Sequence, residues 1–175
     1  MRDPDQLARF EQIVLPHLDD AYNLARWLTR QEQDADDVVQ EALLRAYQFF
    51  DSFQGSSSRP WLLTIVRNSC YTWLQRNRAR EGATSFDEEL HSGTRTSVSP
   101  DTQSLAREDR GLLRQAIEQL PPEFREAIVL RELEGLSYKE IAEIAGIPLG
   151  TVMSRLARAR DQLQQRLSDH LSEES

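Results

Sequence analysis

The chain has 175 residues, 39% of them hydrophobic and 29% charged, a globular composition that fits one ordinary domain or two small ones and excludes a fibrous or disordered chain. Its net charge of −8 excludes tight, indiscriminate attachment to nucleic acid, because phosphate neutralisation by Lys and Arg supplies most of that binding. No apolar run approaches the roughly 20 residues of a membrane span, and one cysteine, Cys70, rules out a disulfide framework and a cysteine-built zinc site.

The acidic opening Met1-Arg2-Asp3-Pro4-Asp5 is not expected to act as a signal peptide, so the cytoplasm is the expected compartment and no membrane insertion is expected. Residues 1–78 carry 9 basic and 11 acidic groups, 79–104 carry 2 and 5, and 105–175 carry 10 and 13. Neither half is basic, so any DNA contact must come from local clusters.

In chain order, residues 6–78 read as helix almost throughout, with apolar residues at helical spacing. Cys70 falls in an apolar helical stretch, where a packed thiol is its plain reading. Gln54-Gly55-Ser56-Ser57-Ser58-Arg59-Pro60 interrupts the pattern. Residues 81–104 are polar, rich in Ser, Thr and Gly, and read as a flexible linker able to span up to roughly 80 Å. Helical spacing resumes at Leu105 and stops at Pro121-Pro122, which starts a helix expected over Glu123–Glu134 and ended by Gly135. The expected fold is all-α: two small helical domains, residues 1–80 and 105–170, joined by the linker.

Ser137-Tyr138-Lys139-Glu140 fits a capping box. A short helix then places Ile141, Ile144 and Ala145 on one face, and Gly146 suits a left-handed cap. After Ile147-Pro148 a second helix is expected over Leu149–Leu167. Short helix, glycine turn and second helix make a helix-turn-helix. At 100° per residue, Val152, Leu156, Ala159 and Leu163 fall within about 60° of one another and face the core. Ser154, Ala157 and Arg158 point away, with Thr151, Met153 and Arg155 on the flanks. Small residues permit close approach to a groove floor, and arginine grips phosphate or guanine edges; Arg160 and Arg166 add local positive charge. An amphipathic hairpin that touches no DNA would need neither.

Residues 120–160, from Leu120-Pro-Pro-Glu-Phe-Arg-Glu-Ala-Ile through Ser137-Tyr-Lys-Glu-Ile-Ala to Thr151-Val-Met-Ser-Arg-Leu, resemble region 4 of the extracytoplasmic-function (ECF) subfamily of bacterial sigma-70 factors. The resemblance implies that the second helix reads the −35 promoter element through Met153, Ser154, Ala157 and Arg158, with Thr151 and Arg155 beside them. Some relatives carry a basic residue at the place of Met153 and an aromatic at that of Ala157.

Asp34-Ala-Asp-Asp-Val-Val-Gln-Glu-Ala-Leu-Leu-Arg-Ala-Tyr47 resembles region 2 of the same family. Its acidic start suits a helix N-terminus, and Val38, Val39, Ala42, Leu43, Ala46, Phe49 and Phe50 form a broad apolar face. Leu44 stands on the polar face among Asp37, Gln40, Glu41 and Gln48. The resemblance implies docking on the clamp helices of core RNA polymerase through Asp37, Gln40, Glu41, Leu44 and Arg45; by composition alone this is a solvated charged face.

Ser58-Arg59-Pro60-Trp61 through Arg80 resembles the segment that opens and reads the −10 element. Strand opening needs donors for a flipped base, aromatic faces for stacking and cations for the backbone. Asn68, Tyr71, Arg76, Arg78 and Arg80 supply these types, and the Gln54–Arg59 loop is placed for a base pocket. Trp61 and Trp73 read as core.

His17, His91 and His170 lie far apart, and no phosphate loop or nucleophile elbow appears. No enzymatic activity, metal or cofactor is expected, and the carboxylates read mainly as helix starts and solvated faces. The resemblance makes the chain an alternative sigma factor that binds core polymerase and promoter DNA and answers to an anti-sigma factor. Two rivals remain: a stand-alone helix-turn-helix regulator, and a sigma mimic that sequesters an anti-sigma factor.

Overall fold

A computed structural model describes residues 4–53, 55, 57–84 and 105–173. In the amino-terminal domain α1 (Pro4–Val14) and a 3-10 turn (Leu15–His17) lead into α2 (Leu18–Thr29), α3 (Glu32–Gln48), a second 3-10 turn (Phe50–Ser52) and α4 (Ser58–Thr84). Helices α2, α3 and α4 pack on one another. Their core holds Leu24, Leu28, Val38, Leu62, Leu63 and Val66 at helical spacing, with Cys70 fully buried among them. Burial pushes that thiol's pKa up, so it is an inert packing group. Trp61 lies beside Phe53, with ring centroids 4.9 Å apart, and Trp73 packs at the core's edge.

Two expectations for this domain are corrected. Phe49 belongs to the solvent, not to the apolar face of α3, because the helix has ended there and only Phe50 turns inward. Helix α4 also continues beyond the helical stretch expected over residues 6–78, to Thr84. The rest of the expected linker, 85–104, lies outside the described residues, as do Gln54 and Ser56 of the expected base-pocket loop and His91.

The carboxy-terminal domain comprises α5 (Leu105–Glu118), α6 (Pro122–Ile128), α7 (Tyr138–Ala145) and α8 (Leu149–Glu173). The helix expected as a single α-helix over Glu123–Glu134 loosens after Ile128 into a π-helical turn, Val129–Leu133. There Glu134 N–H donates to the Val129 carbonyl five residues back, at 3.0 Å. Gly135, at φ 68°, then reverses the chain without steric cost. The last helix is longer than expected. It continues past Leu167 to Glu173, and Ser172 Oγ donates to the Ser168 carbonyl.

The two domains touch. Helix α7 packs on α4, and α6 packs on α2.

Candidate functional site

The helix-turn-helix forms as its sequence dictates. Ser137 Oγ accepts from Glu140 N–H at 3.1 Å, and Glu140 Oε1 accepts from Ser137 N–H at 3.0 Å, closing the capping box. Gly146 ends α7 at φ 67°. Ile141, Ile144 and Ala145 face inward against Val152, Leu156 and Ala159 of α8. On the opposite side of α8, Met153, Ser154, Ala157 and Arg158 are exposed, and Thr151 and Arg155 are half-buried. The open face is therefore small side chains, one thioether and one arginine. The positive charge of Arg160 is paired, its Nη2 donating to Glu132 Oε1 at 2.8 Å, whereas Arg166 Nη1 donates to the neutral Gln119 side chain and its charge is left uncompensated there.

On α3, Asp37, Gln40 and Leu44 are exposed, and Glu41 and Arg45 are half-buried and paired with each other at 3.0 Å. Leu44 keeps 67% of its surface in contact with solvent. A large apolar side chain ringed by polar ones has the layout of a small protein-binding hot spot.

The candidate −10 residues fall into two groups. Asn68, Arg76, Arg78 and Arg80 are exposed on α4, and the Asn68 side-chain oxygen accepts from Arg67 Nη1. Tyr71 is not free. Its hydroxyl donates to Glu126 Oε2 of α6 at 2.8 Å, and the Arg67 guanidinium lies 3.9 Å from its ring centre. Burial, then the neighbouring Glu126, holds the phenol's pKa well above its ordinary value.

Sequence reasoning missed the residues that join the domains. Glu126, only 1% exposed, accepts from Arg67 Nε at 2.7 Å as well as from Tyr71. Burial works against the charge on Arg67, yet Glu126 raises its pKa. Next to it Arg125, 3% exposed, donates to the carbonyls of Glu118, Leu120 and Leu28 at 2.9–3.0 Å. It thus caps the end of α2 in one domain and of α5 in its own, satisfying carbonyls that helix ends leave bare. Burial, then the charge of Arg30, lowers its pKa to about 10. Arg59 bridges Asp20 at 2.7 Å and the backbone carbonyl of Glu134 at 2.8 Å. Arg114 lies 5.4 Å from the Trp27 ring centre. Breaking a buried pair typically costs about 3–5 kcal/mol, against about 0–1 for exposed pairs such as Arg160–Glu132. The Arg67–Glu126 pair therefore dominates.

The carboxylates are expected mainly at helix starts and on solvated faces; Glu126 and Glu134 are buried exceptions. A signal was present. Ala127-Ile128-Val129-Leu130 puts apolar residues on every side of the helix, and a helix apolar all round is covered all round.

The fold defines a class: a helical protein of two modules, one carrying a helix-turn-helix with an open outer face. Residues 13–80 match the family described as Sigma-70 region 2, and residues 110–163 match Sigma-70, region 4. The chain is 40% identical over 141 residues to the ECF RNA polymerase sigma-E factor of Escherichia coli, covering 77% of this chain and 74% of that one. It is 34% identical over 173 residues to the ECF RNA polymerase sigma factor SigE of Mycolicibacterium smegmatis, covering 98% of this chain but 66% of the relative, just under two thirds of its length. A solved structure of the sigma factor RpoE in complex with the anti-sigma factor NepR from Bartonella quintana is similar at a TM-score of 0.71 and 34% identity, covering 91% of this chain and 97% of that one. The chain belongs to the ECF subfamily of the sigma-70 factors.

Proposed function

We propose that this chain binds core RNA polymerase and directs it to start transcription at particular promoters. In this reading α3 docks on the clamp helices of the largest subunit through Asp37, Gln40, Glu41, Leu44 and Arg45. Residues Asn68, Tyr71, Arg76, Arg78 and Arg80 of α4 open and hold the −10 strand, and Thr151, Met153, Ser154, Arg155, Ala157 and Arg158 of α8 read −35 as duplex. The module comprising 1–80 serves the first two tasks, and 105–170 serves the third.

The observation that carries the reading is the coexistence on one chain of two separate outward faces. One is the Leu44-centred patch on α3, and the other is the Met153–Arg158 face of α8. A stand-alone regulator needs the second face alone, and a sigma mimic needs neither the arginine on α8 nor the cations at the end of α4. The chain works without catalysis of its own, in the cytoplasm where core polymerase resides; no described helix is long and apolar enough to cross a membrane. An anti-sigma factor is its regulatory partner, as NepR is for the similar RpoE.

The test is run-off transcription by core polymerase on a promoter library, with and without the purified chain. Discrete start sites that require the chain are expected. A chain that binds polymerase yet starts no transcript would instead be a mimic, and promoter binding without polymerase would point to the stand-alone regulator.

A further inference from the structure

Resting on the promoter-reading role of α8, we propose that its outward face selects a −35 element of definite composition. Thymine methyls pack against Met153 and Ala157, and a single G·C pair is held by Arg158. The face divides into two edges. At 100° per residue, Met153 and Ala157 lie about 40° apart on one edge, and Ser154 and Arg158 lie about 40° apart on the next. All four are exposed, Met153 by 49%. Leu149, 46% exposed, prolongs the apolar edge to the first residue of the helix.

Each edge suits a different base. Met153 and Ala157 carry no side-chain donor for the guanine O6 and N7 acceptors, so the apolar edge gains most from the C5-methyl of thymine. Ser154 has committed its hydroxyl proton to the Thr151 carbonyl at 3.1 Å. Its oxygen therefore presents lone pairs, which suit the amine of adenine or cytosine. Of the neighbouring guanidinium groups, Arg155 is half-buried and Arg160 is held by Glu132 at 2.8 Å. That leaves Arg158 to fork onto the O6 and N7 of one guanine.

Spacing agrees with this division. Laid along the groove, four residues of helix advance about 6 Å, close to two base-pair steps of about 3.4 Å each. Met153 and Ala157 therefore meet thymines about two steps apart, and Ser154 and Arg158 meet bases at the same interval. A basic side chain at position 153 would demand a second guanine; methionine removes that demand and puts a methyl contact in its place.

The test is run-off transcription by core polymerase with the full chain on a library of random promoters, the productive templates being sequenced and aligned. The −35 element should show one guanine-dominated position and at least two thymine-rich ones, on either strand. Arg158→Ala should flatten the G·C preference by about 5- to 150-fold and leave the thymine positions as they were. Met153→Arg should convert one thymine position to guanine. Both residues are exposed, so neither substitution disturbs the core. On the preferred template, deoxyuracil in place of thymine removes only the methyl. At the position facing Met153 it should lower transcript about fourfold, the worth of one buried carbon, and Met153→Ala should erase most of that difference. Indifference to uracil would overturn the proposal and assign any A·T preference to groove shape. So would two guanine positions with Met153 in place, or an unchanged preference in Met153→Arg. With no transcript from any template the sigma-factor reading itself fails, whereas discrete transcripts with the wrong base pattern leave that reading standing and sink only this inference.

Discussion

Arg158 stands exposed on the open face of α8, one turn beyond Ser154. Arg158→Ala should lower initiation at −35-dependent promoters by about 1–3 kcal/mol of binding, the range for one good base contact, and leave core association unchanged. Run-off transcription and polymerase pull-down on the same preparations check this; an equal fall in both would break the assigned division of labour. The sequence could mark Arg158 as outward by angle alone, but angle does not tell a free arginine from a spent one. Arg160 is drawn to Glu132, which lies 28 positions away in the chain, a separation that no helical period reveals. The pairing of Arg67 and Tyr71 with Glu126 was hidden in the same way, at separations of 59 and 55 positions. Each has ordinary polar neighbours along the chain, and their chemistry exists only where α4 meets α6.

Elements were more legible than residues, because their signals are local. The capping box, the left-handed glycine and the Val152–Leu156–Ala159 stripe all lie within about two dozen residues of one another, and the helix-turn-helix follows from them directly. Ser137→Ala removes the acceptor for Glu140 N–H and should cost about 1 kcal/mol of stability, measured as a shift in the urea midpoint with an unchanged slope. A loss below a few tenths would mean that Glu140 alone secures the start of α7. The π-helical turn after Ile128 was not legible. It adds one residue per turn, and hydrophobic spacing over five residues is too short to show the change. The extent of α8 was misjudged because polar Ser168 and Asp169 look like a tail, whereas helix propensity and hydrogen bonds carry it on to Glu173.

For the whole molecule, the contact between domains has a titratable edge at Glu134. Asp20 of α2 and Arg59 of α4 face its carboxyl. Burial first, then the hydrogen bond and charge of Asp20, push its pKa up to about 7 against the pull of Arg59. A carboxyl raised in the closed state favours closure while protonated and opposes it once ionised. Below its ordinary value near 4.5 it exacts nothing; the penalty grows from there and is complete above about 7. The closed form should therefore loosen between about pH 4.5 and about pH 7, seen as a rising scattering radius, and Glu134→Gln should flatten that rise. Parallel curves for the two proteins would exclude Glu134 as the source. The buried Glu126 has a different consequence, for anyone recombining parts of such proteins. A chimera that joins this amino-terminal half to a foreign carboxy-terminal half inherits Arg67 and Tyr71 without their counter-charge. Such a hybrid would be born unbuttoned, so position 126 must travel with the half that it secures.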